Sequence, residues 1–239
     1  LLAINRLFGR VRQSMEYEQR FTGDAAHELR TPLAAIKTNL QVMQRARSVE
    51  EREEFIAGLN ASVDRAGRLV DQLLTLAQLD PQGCHGVALE EADLATLLTE
   101  EQSYWQSLAV GHHLRVDIAH APCRIERESL RMLLRNLVDN AVRYTPVPGR
   151  IVVSCGQSEG RSYLRVADSG PGIAPQMQGR VFERFFRLAG AKVPGSGLGL
   201  SIVRRIIDMH GAEIRLGTGI DHSGLGVTVS FPVLAKRDE

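Results

Sequence analysis

Two apolar stripes of helical period, separated by a short polar connection, constrain this chain more than any other feature. The first runs through Phe21, Ala25, Leu29, Leu33, Ile36, Leu40 and Met43, inside a helix-favouring stretch from Glu16 to Arg47. The second runs through Phe55, Leu59, Val63, Ala66, Val70, Leu73 and Ala77. Between them Ser48 suits an N-cap, and Glu50, Glu51 and Glu53 follow it at the positive end of the second helix. Pro81 and Gly83 stop that helix. Two long amphipathic helices joined this tightly fold back as an antiparallel hairpin, which has too little core to stand alone. Pairing two hairpins into a four-helix dimer buries both stripes.

The stretch Pro81 to Gly86 has linker composition, and beyond it the pattern changes. Leu94 to Leu108, Glu128 to Tyr144 and Leu198 to His210 read as helices, the last ending at Gly211. Leu114 to Ile118, Ile151 to Cys155, Tyr163 to Ala167, Ala212 to Leu216 and Gly226 to Phe231 read as strands, largely antiparallel. Helices mixed with such strands imply an α+β chain whose second part is an α/β sandwich. There is no internal repeat and no low-complexity segment.

Composition excludes several classes. With 29 basic and 28 acidic residues among 239, the net charge of +1 gives no electrostatic footprint for nucleic acid, and 5% aromatics offer little for base stacking. Cys84, Cys123 and Cys155 are too few and scattered for a disulfide framework or metal cluster, so they read as free thiols in a reducing cytoplasm. No apolar run approaches the ~20 residues that span a bilayer, and no signal peptide opens the chain, which reads as soluble. Leu1, Ile4, Phe8, Val11 and Met15 follow a three-then-four spacing, which fits either a coiled-coil seam or an amphipathic N-terminal helix.

Asp24 to Leu33 reads DAAHELRTPL. His27 and Thr31, four apart, share a helix face, and Glu28 adjoins the histidine. Pro32 has no N–H to give the carbonyl of Glu28, so the helix should bend just past His27 and leave room for a substrate. Taken alone, such a histidine is more often structural. The motifs downstream reverse that balance.

Asn136 and Asn140 lie one turn apart, followed by Arg143 and Tyr144. Two amide oxygens can serve a hard cation such as Mg²⁺ without adding charge that repels phosphate, and Arg143 offers a phosphate-directed fork. Asp168-Ser169-Gly170-Pro171-Gly172 follows a strand: either a carboxylate placed to accept from an adenine amino group, or an acidic surface turn. Gly195, Gly197 and Gly199, with Ser196 and Leu198 between them, open directly into an apolar helix whose N–H groups can cradle phosphate. This run is neither a P-loop nor a dinucleotide fingerprint. Phe182 to Arg187 and the segment through Pro194 read as a mobile lid anchored to the core by its phenylalanines, with Arg184 inside it. Trp105 and the remaining histidines read as structural.

In order and spacing these motifs resemble those of sensor histidine kinases of bacterial two-component systems. DAAHELRTPL resembles the family's phosphoacceptor box, LLRNLVDNAVRYTP its asparagine box, ADSGPGI and GSGLGLSIV its two glycine boxes, and FERFFR its phenylalanine box. LLAINRLFGRV resembles the exit helix of a HAMP domain. The resemblance implies a HAMP exit helix over 1–20, a dimerisation and phosphotransfer hairpin over 21–82, a linker over 83–90, and a Bergerat-type ATP-binding sandwich over 91–235. It also implies that His27 attacks the γ-phosphate of ATP with Glu28 as base, that Asn140 binds Mg²⁺ with support from Asn136, and that Asp168 recognises adenine. Arg143 and Arg184 would stabilise the transferring phosphoryl group, with Tyr144, Gly170, Gly172, Gly195, Gly197, Leu198 and Gly199 completing the ATP site. The phosphoryl group would pass to an aspartate of a response regulator, and Thr31 matches a position that orients water for dephosphorylating that regulator.

RFTGDAAHELRTPL and LVDQLLTLAQLD are similar to segments of QseC-like and PmrB-like sensors, which implies an OmpR-type regulator and a homodimeric, inner-membrane parent with this part in the cytoplasm. Two other readings carry different expectations. A hydrolytic Bergerat ATPase resembles its relatives in placing a water-activating glutamate where this chain has Asn136, and lacks the DAAHELRTPL hairpin. A non-catalytic adaptor built on a decayed kinase would have lost His27, Asn140, Asp168 or the glycines.

Overall fold

The computed structural model describes residues 2–43, 48–79, 88–188 and 195–232. By its contacts the chain divides into two units, Leu1–Ala77 and Gln78–Glu239.

The first unit is helical. Helix α1 spans Leu2–Met43 and α2 spans Val49–Gln78. The expected exit helix and the expected first hairpin helix are thus one continuous element, and the side chains of the proposed seam at Leu1, Ile4, Phe8, Val11 and Met15 lie outside the described residues. Pro32 sits inside α1 and is buried, and the helix continues through it. Ser48 caps α2 as expected: its Oγ accepts the N–H of Glu51 at 3.2 Å, with Glu50 and Glu51 in the first turn. Gly58 of α2 faces Asn39 of α1, where a β-carbon would lie 3.4 Å from the amide nitrogen. The stripes divide on folding. Ala25, Leu29, Ile36, Phe55, Leu59, Ala66 and Leu73 are half-buried, whereas Leu33, Leu40, Val63 and Val70 remain exposed. Among the described residues no helix is long and apolar enough to cross a membrane.

The second unit is a two-layer sandwich. Its elements are β1 (Glu90–Asp93), α3 (Leu94–Leu108), β2 (His112–Ile118), β3 (Pro122–Ile125), α4 (Arg127–Tyr144), β4 (Gly149–Ser158), β5 (Arg161–Asp168), α5 (Gly199–His210), β6 (Glu213–Thr218) and β7 (Leu225–Ser230). Strands β2-β4-β5-β7-β6 form one sheet, in which β2 pairs parallel with β4, Leu114 opposite Ile151, and the other neighbours pair antiparallel. Strands β1 and β3 form a separate antiparallel pair.

Alternation along the strands sends one set of side chains beneath the helices. Ile151, Val153, Leu164, Val166, Val227 and Val229 are buried there against Leu98, Leu130, Leu134, Ile202 and Ile206. Each such side chain contributes about 1.5–3 kcal/mol on burial. Trp105 is fully buried in α3, in keeping with a structural role. Asp93 caps α3, accepting the N–H groups of Ala95 and Ala121 at 2.9 Å each and so tying β1 to the residue before β3. Glu101, also buried, meets Arg135 Nε at 2.8 Å and Arg131 Nε at 2.9 Å, which joins α3 to α4. Cys123 and Cys155 are buried free thiols; burial pushes the Cys123 thiol up to about 12, so it stays protonated and inert. Cys84 and the linker stretch around it lie outside the described residues.

Candidate functional site

Helix α4 carries the polar stripe that organises the second unit. Asn136, Asn140, Arg143 and Tyr144 recur at intervals of four, three and one, so they line one flank while Leu130, Leu133, Leu137 and Ala141 face the core. All four are half-buried. Asn136 gives its Nδ2–H to the carbonyl of Met132 at 2.9 Å, which directs Oδ1 outward.

The N-terminus of α5 approaches this stripe as closely as glycine permits. A β-carbon on Gly199 would lie 3.1 Å from Asn136 Oδ1 and 3.4 Å from Asn140 Nδ2. One on Gly195 would lie 3.1 Å from Arg143 Nη1 and 3.7 Å from the Tyr144 hydroxyl. Leu198, buried, is the N-cap of α5 and offers no side-chain cap, whereas α3 and α4 are capped by Asp93 and Glu126. The first N–H groups of α5 are therefore left for an anion. Gly197 has φ +74°, and a β-carbon there would fall 2.6 Å from the carbonyl carbon of Phe185, itself at φ +60°. The glycine run and the start of the expected lid are in backbone contact.

The phenylalanines do not anchor that lid in the core. Phe182, Phe185 and Phe186 are only half-buried, and Phe186 instead lies under the Arg180 guanidinium at 4.7 Å. Val181, just before the segment, is buried. Arg184, inside it, is half-buried, and the segment 189–194 of the lid lies outside the described residues.

Beside the C-terminal end of α4, where Gly170 meets the Tyr144 carbonyl, lies Asp168, the last residue of β5 and 7% exposed. Its Oδ1 accepts the N–H groups of Gly170 at 2.8 Å and Leu225 at 3.1 Å, leaving Oδ2 as the oxygen that can meet a ligand donor. Burial pushes the carboxyl above its usual range, against the two N–H bonds that pull it down. Glycines wall this carboxylate. A β-carbon on Gly170 would lie 2.9 Å from both Asp168 Oδ1 and the Tyr144 carbonyl, and one on Gly172, at φ +70°, would lie 2.8 Å from the Gly224 carbonyl. Gly219 and Gly224 complete the wall, with β-carbon positions 2.1 and 1.9 Å from the Asp168 carbonyl oxygen. Sequence reading missed both; their signal is the close glycine spacing in GTGIDHSGLG before the last strand.

The stripe from Asn136 to Tyr144 rises about 12 Å along α4. It joins an anion-binding end, where the α5 N-terminus meets Asn136 and Asn140, to a buried carboxylate at Asp168 beside Tyr144, with Arg143 between them. That combination can take a ligand with an amine-bearing base at one end and phosphates at the other. Among the described residues no three His, Cys, Asp or Glu side chains group as a metal site. A divalent cation here would depend on amide oxygen from Asn140 and on the ligand's own phosphates, which is the donor chemistry of Mg²⁺.

In the helical unit His27 is exposed on α1, Glu28 beside it is half-buried, and Thr31 is exposed one turn on. The imidazole is thus accessible to a second body.

Comparison with known proteins agrees with both units. Residues 17–82 match the family described as His Kinase A (phospho-acceptor) domain, and residues 125–236 the family described as Histidine kinase-, DNA gyrase B-, and HSP90-like ATPase. The Sensor protein QseC of Salmonella typhimurium is 41% identical over 96% of this chain and 51% of its own length. The Sensor protein kinase PmrB of Pseudomonas aeruginosa is 37% identical over 96% of this chain and 48% of its own. The chain spans about half the length of the curated relatives it matches. Among solved structures, the Mycobacterial sensor histidine kinase MprB aligns with a TM-score of 0.54 at 29% identity, over 60% of this chain and 97% of that one.

Proposed function

Because the chain belongs to the sensor histidine kinases, with a phosphoacceptor hairpin ahead of a gyrase-like ATPase domain, we propose that it phosphorylates His27 from ATP and passes the phosphoryl group to a response regulator. The observation that carries this reading is the convergence of Asn136, Asn140, Arg143 and Tyr144 on the uncapped glycine terminus of α5, with Asp168 at the far end of the same stripe.

Asp168 Oδ2 accepts from the adenine amino group, and Gly170 and Gly172 give the base room beside Tyr144. Gly195, Gly197 and Gly199 would present N–H groups to the phosphates, while the buried Leu198 gives its own N–H to Ser196 Oγ at 3.2 Å, and Asn140, supported by Asn136, would hold Mg²⁺. Bound Mg²⁺ neutralises charge on the phosphate oxygens. The imidazole of His27 attacks the γ-phosphorus, forming an N–P bond as the bond to the β-phosphate oxygen breaks and ADP leaves. Glu28 hydrogen-bonds the ring N–H, fixes the tautomer and takes up the proton released. Arg143 and Arg184 meet the charge on the transferring group. An aspartate of the regulator, of OmpR type, then takes the phosphoryl group from the phosphoramidate, leaving the imidazole free, and Thr31 orients water for the opposing phosphatase activity, hydrolysis of the aspartyl phosphate to inorganic phosphate.

The seven-residue repeat of exposed apolar side chains on α2, Val49, Ile56, Val63 and Val70, supports a homodimer in which a second hairpin covers it. We assign 1–20 to a HAMP-type signalling helix, 21–82 to dimerisation and phosphotransfer, 83–90 to the linker and 91–235 to ATP binding. The relatives' names as sensors support a parent anchored in the inner membrane with this part in the cytoplasm. The test is transfer: chain labelled from γ-labelled ATP is mixed with purified receiver domains. Label moving within seconds to an OmpR-type receiver, and not to one lacking its aspartate, is the expected result; retention of label by the chain in every mixture refutes the regulator step.

A further inference from the structure

Helices α4 and α5 are tied together a second time, away from the nucleotide stripe, and the tie depends on a proton. His210 ends α5 and is 4% exposed. Its Nδ1–H donates to the carbonyl of Ile206 at 2.8 Å, and its Nε2 accepts the backbone N–H of Glu126 at 3.0 Å. A backbone N–H can only donate, so this geometry admits the neutral Nδ1–H tautomer alone. Glu126 is the N-cap of α4, its carboxylate already accepting the N–H groups of Glu128 at 3.1 Å and Ser129 at 2.7 Å. Phe231 packs edge-on against the ring, 6.4 Å between centroids.

Resting on the ATP-site reading above, we infer that His210 is a positioning residue for nucleotide binding. As a neutral ring it fastens the C-terminal end of α5 to the cap of α4, and so sets how Gly199 meets Asn136 and Asn140. Protonation would place a donor at Nε2 against the Glu126 N–H and open the tie. The Glu126 carboxylate is the charged group facing the ring from α4; Phe231 brings no charge. On α5 itself Asp208 is paired with Arg204 at 3.0 Å, and Glu213 at the start of β6 is paired with Arg161 at 3.0 Å. Burial, which outweighs the pull of Glu126, holds the ring below its ordinary range. The unfolded chain's histidine titrates near pH ~6.5, so this contribution to stability is whole above that value. It is lost as pH falls from there through the ring's lower folded value.

The test is calorimetric titration of the full chain with Mg–ADP from pH 5.5 to 8, together with nucleotide-free thermal melts, for wild type, His210→Gln and His210→Leu. Wild type should lose about five- to tenfold in affinity as pH falls through the ring's depressed folded value, its melting temperature already falling from pH ~6.5 downward. Gln, whose Oε1 accepts from Glu126 without titrating, should match wild type at pH 8 and lose that acid-side fall. Comparing it with wild type cancels the nucleotide's own titration. Leu should bind about five- to tenfold more weakly at every pH. An acid-side profile that survives in Gln, or a Leu variant that melts lower yet binds ADP normally, overturns the inference. Folded wild type that binds no ADP at pH 8 instead refutes the ATP-site reading, and the Gln and wild-type melts still decide whether His210 is the titrating tie.

Discussion

Asp168→Asn separates ligand recognition from fold at one atom. The asparagine keeps Oδ1, and with it the acceptor for the N–H groups of Gly170 and Leu225, so the glycine wall stays satisfied. At the other position an NH₂ replaces an oxygen and presents a donor to the donor amine of adenine. The loss is one hydrogen bond to a charged acceptor, about 1.5–3 kcal/mol, which corresponds to an affinity about 10- to 150-fold weaker for ADP. The free protein should respond in the opposite sense. Burial raises the carboxyl's folded value above its unfolded one, so the ionised group weakens the fold at neutral pH and the weakening is relieved as pH falls through the folded value. Asn removes that charge. Calorimetry with Mg–ADP and melts of the free protein read both effects: the variant should bind poorly, melt no lower than wild type at pH 7.5, and lose any advantage towards pH 4. ADP affinity within twofold of wild type refutes the assignment of Asp168 to the base.

Gly197→Ala places a side chain at φ +74° against the Phe185 backbone. The left-handed conformation alone costs about 1–2 kcal/mol, so ADP titration should show roughly tenfold or greater weakening, with urea unfolding checking the fold. Thr31→Ala should leave autophosphorylation in place and slow loss of label from a phosphorylated regulator; an unchanged rate removes Thr31 from that role. Val63→Asp puts a charge in the exposed apolar repeat of α2, and an unpaired charge buried in a dimer seam costs roughly 3–5 kcal/mol. Sedimentation should then find monomers at concentrations where wild type is dimeric.

Local signals carried much of this molecule. Helix α3 occupies Leu94–Leu108 as its apolar spacing indicates, and Ser48 caps α2 because hydroxyl and acidic residues stand where a helix start needs them. The Asn136 stripe and the glycine run were legible for the same reason: each is a spacing within one helix or turn. What escaped is non-local. Strands β1 and β3 are four residues each, too short for a pattern to stand out, and they exist through pairing across some thirty residues, Glu90 opposite Ile125. The parallel β2–β4 pair is joined through β3 and α4, which no hairpin-like pattern announces. Gly219 and Gly224 matter because the chain returns to the Asp168 carbonyl some fifty residues later. The tie at His210 was not legible, because its partner Glu126 lies 84 residues away. The phenylalanines were misjudged because a dense aromatic motif signals burial in general, while here all three stay half-buried and Val181 before them is the buried residue.

The central claim is that His27 takes the γ-phosphate of ATP. Incubating the chain with Mg²⁺ and γ-labelled ATP, beside His27→Gln, and then challenging the product with acid and with alkali tests it most directly. The account predicts label on wild type that is lost in acid, survives alkali and is absent from the variant. Label that persists in His27→Gln, or that resists acid and is lost in alkali, would contradict it.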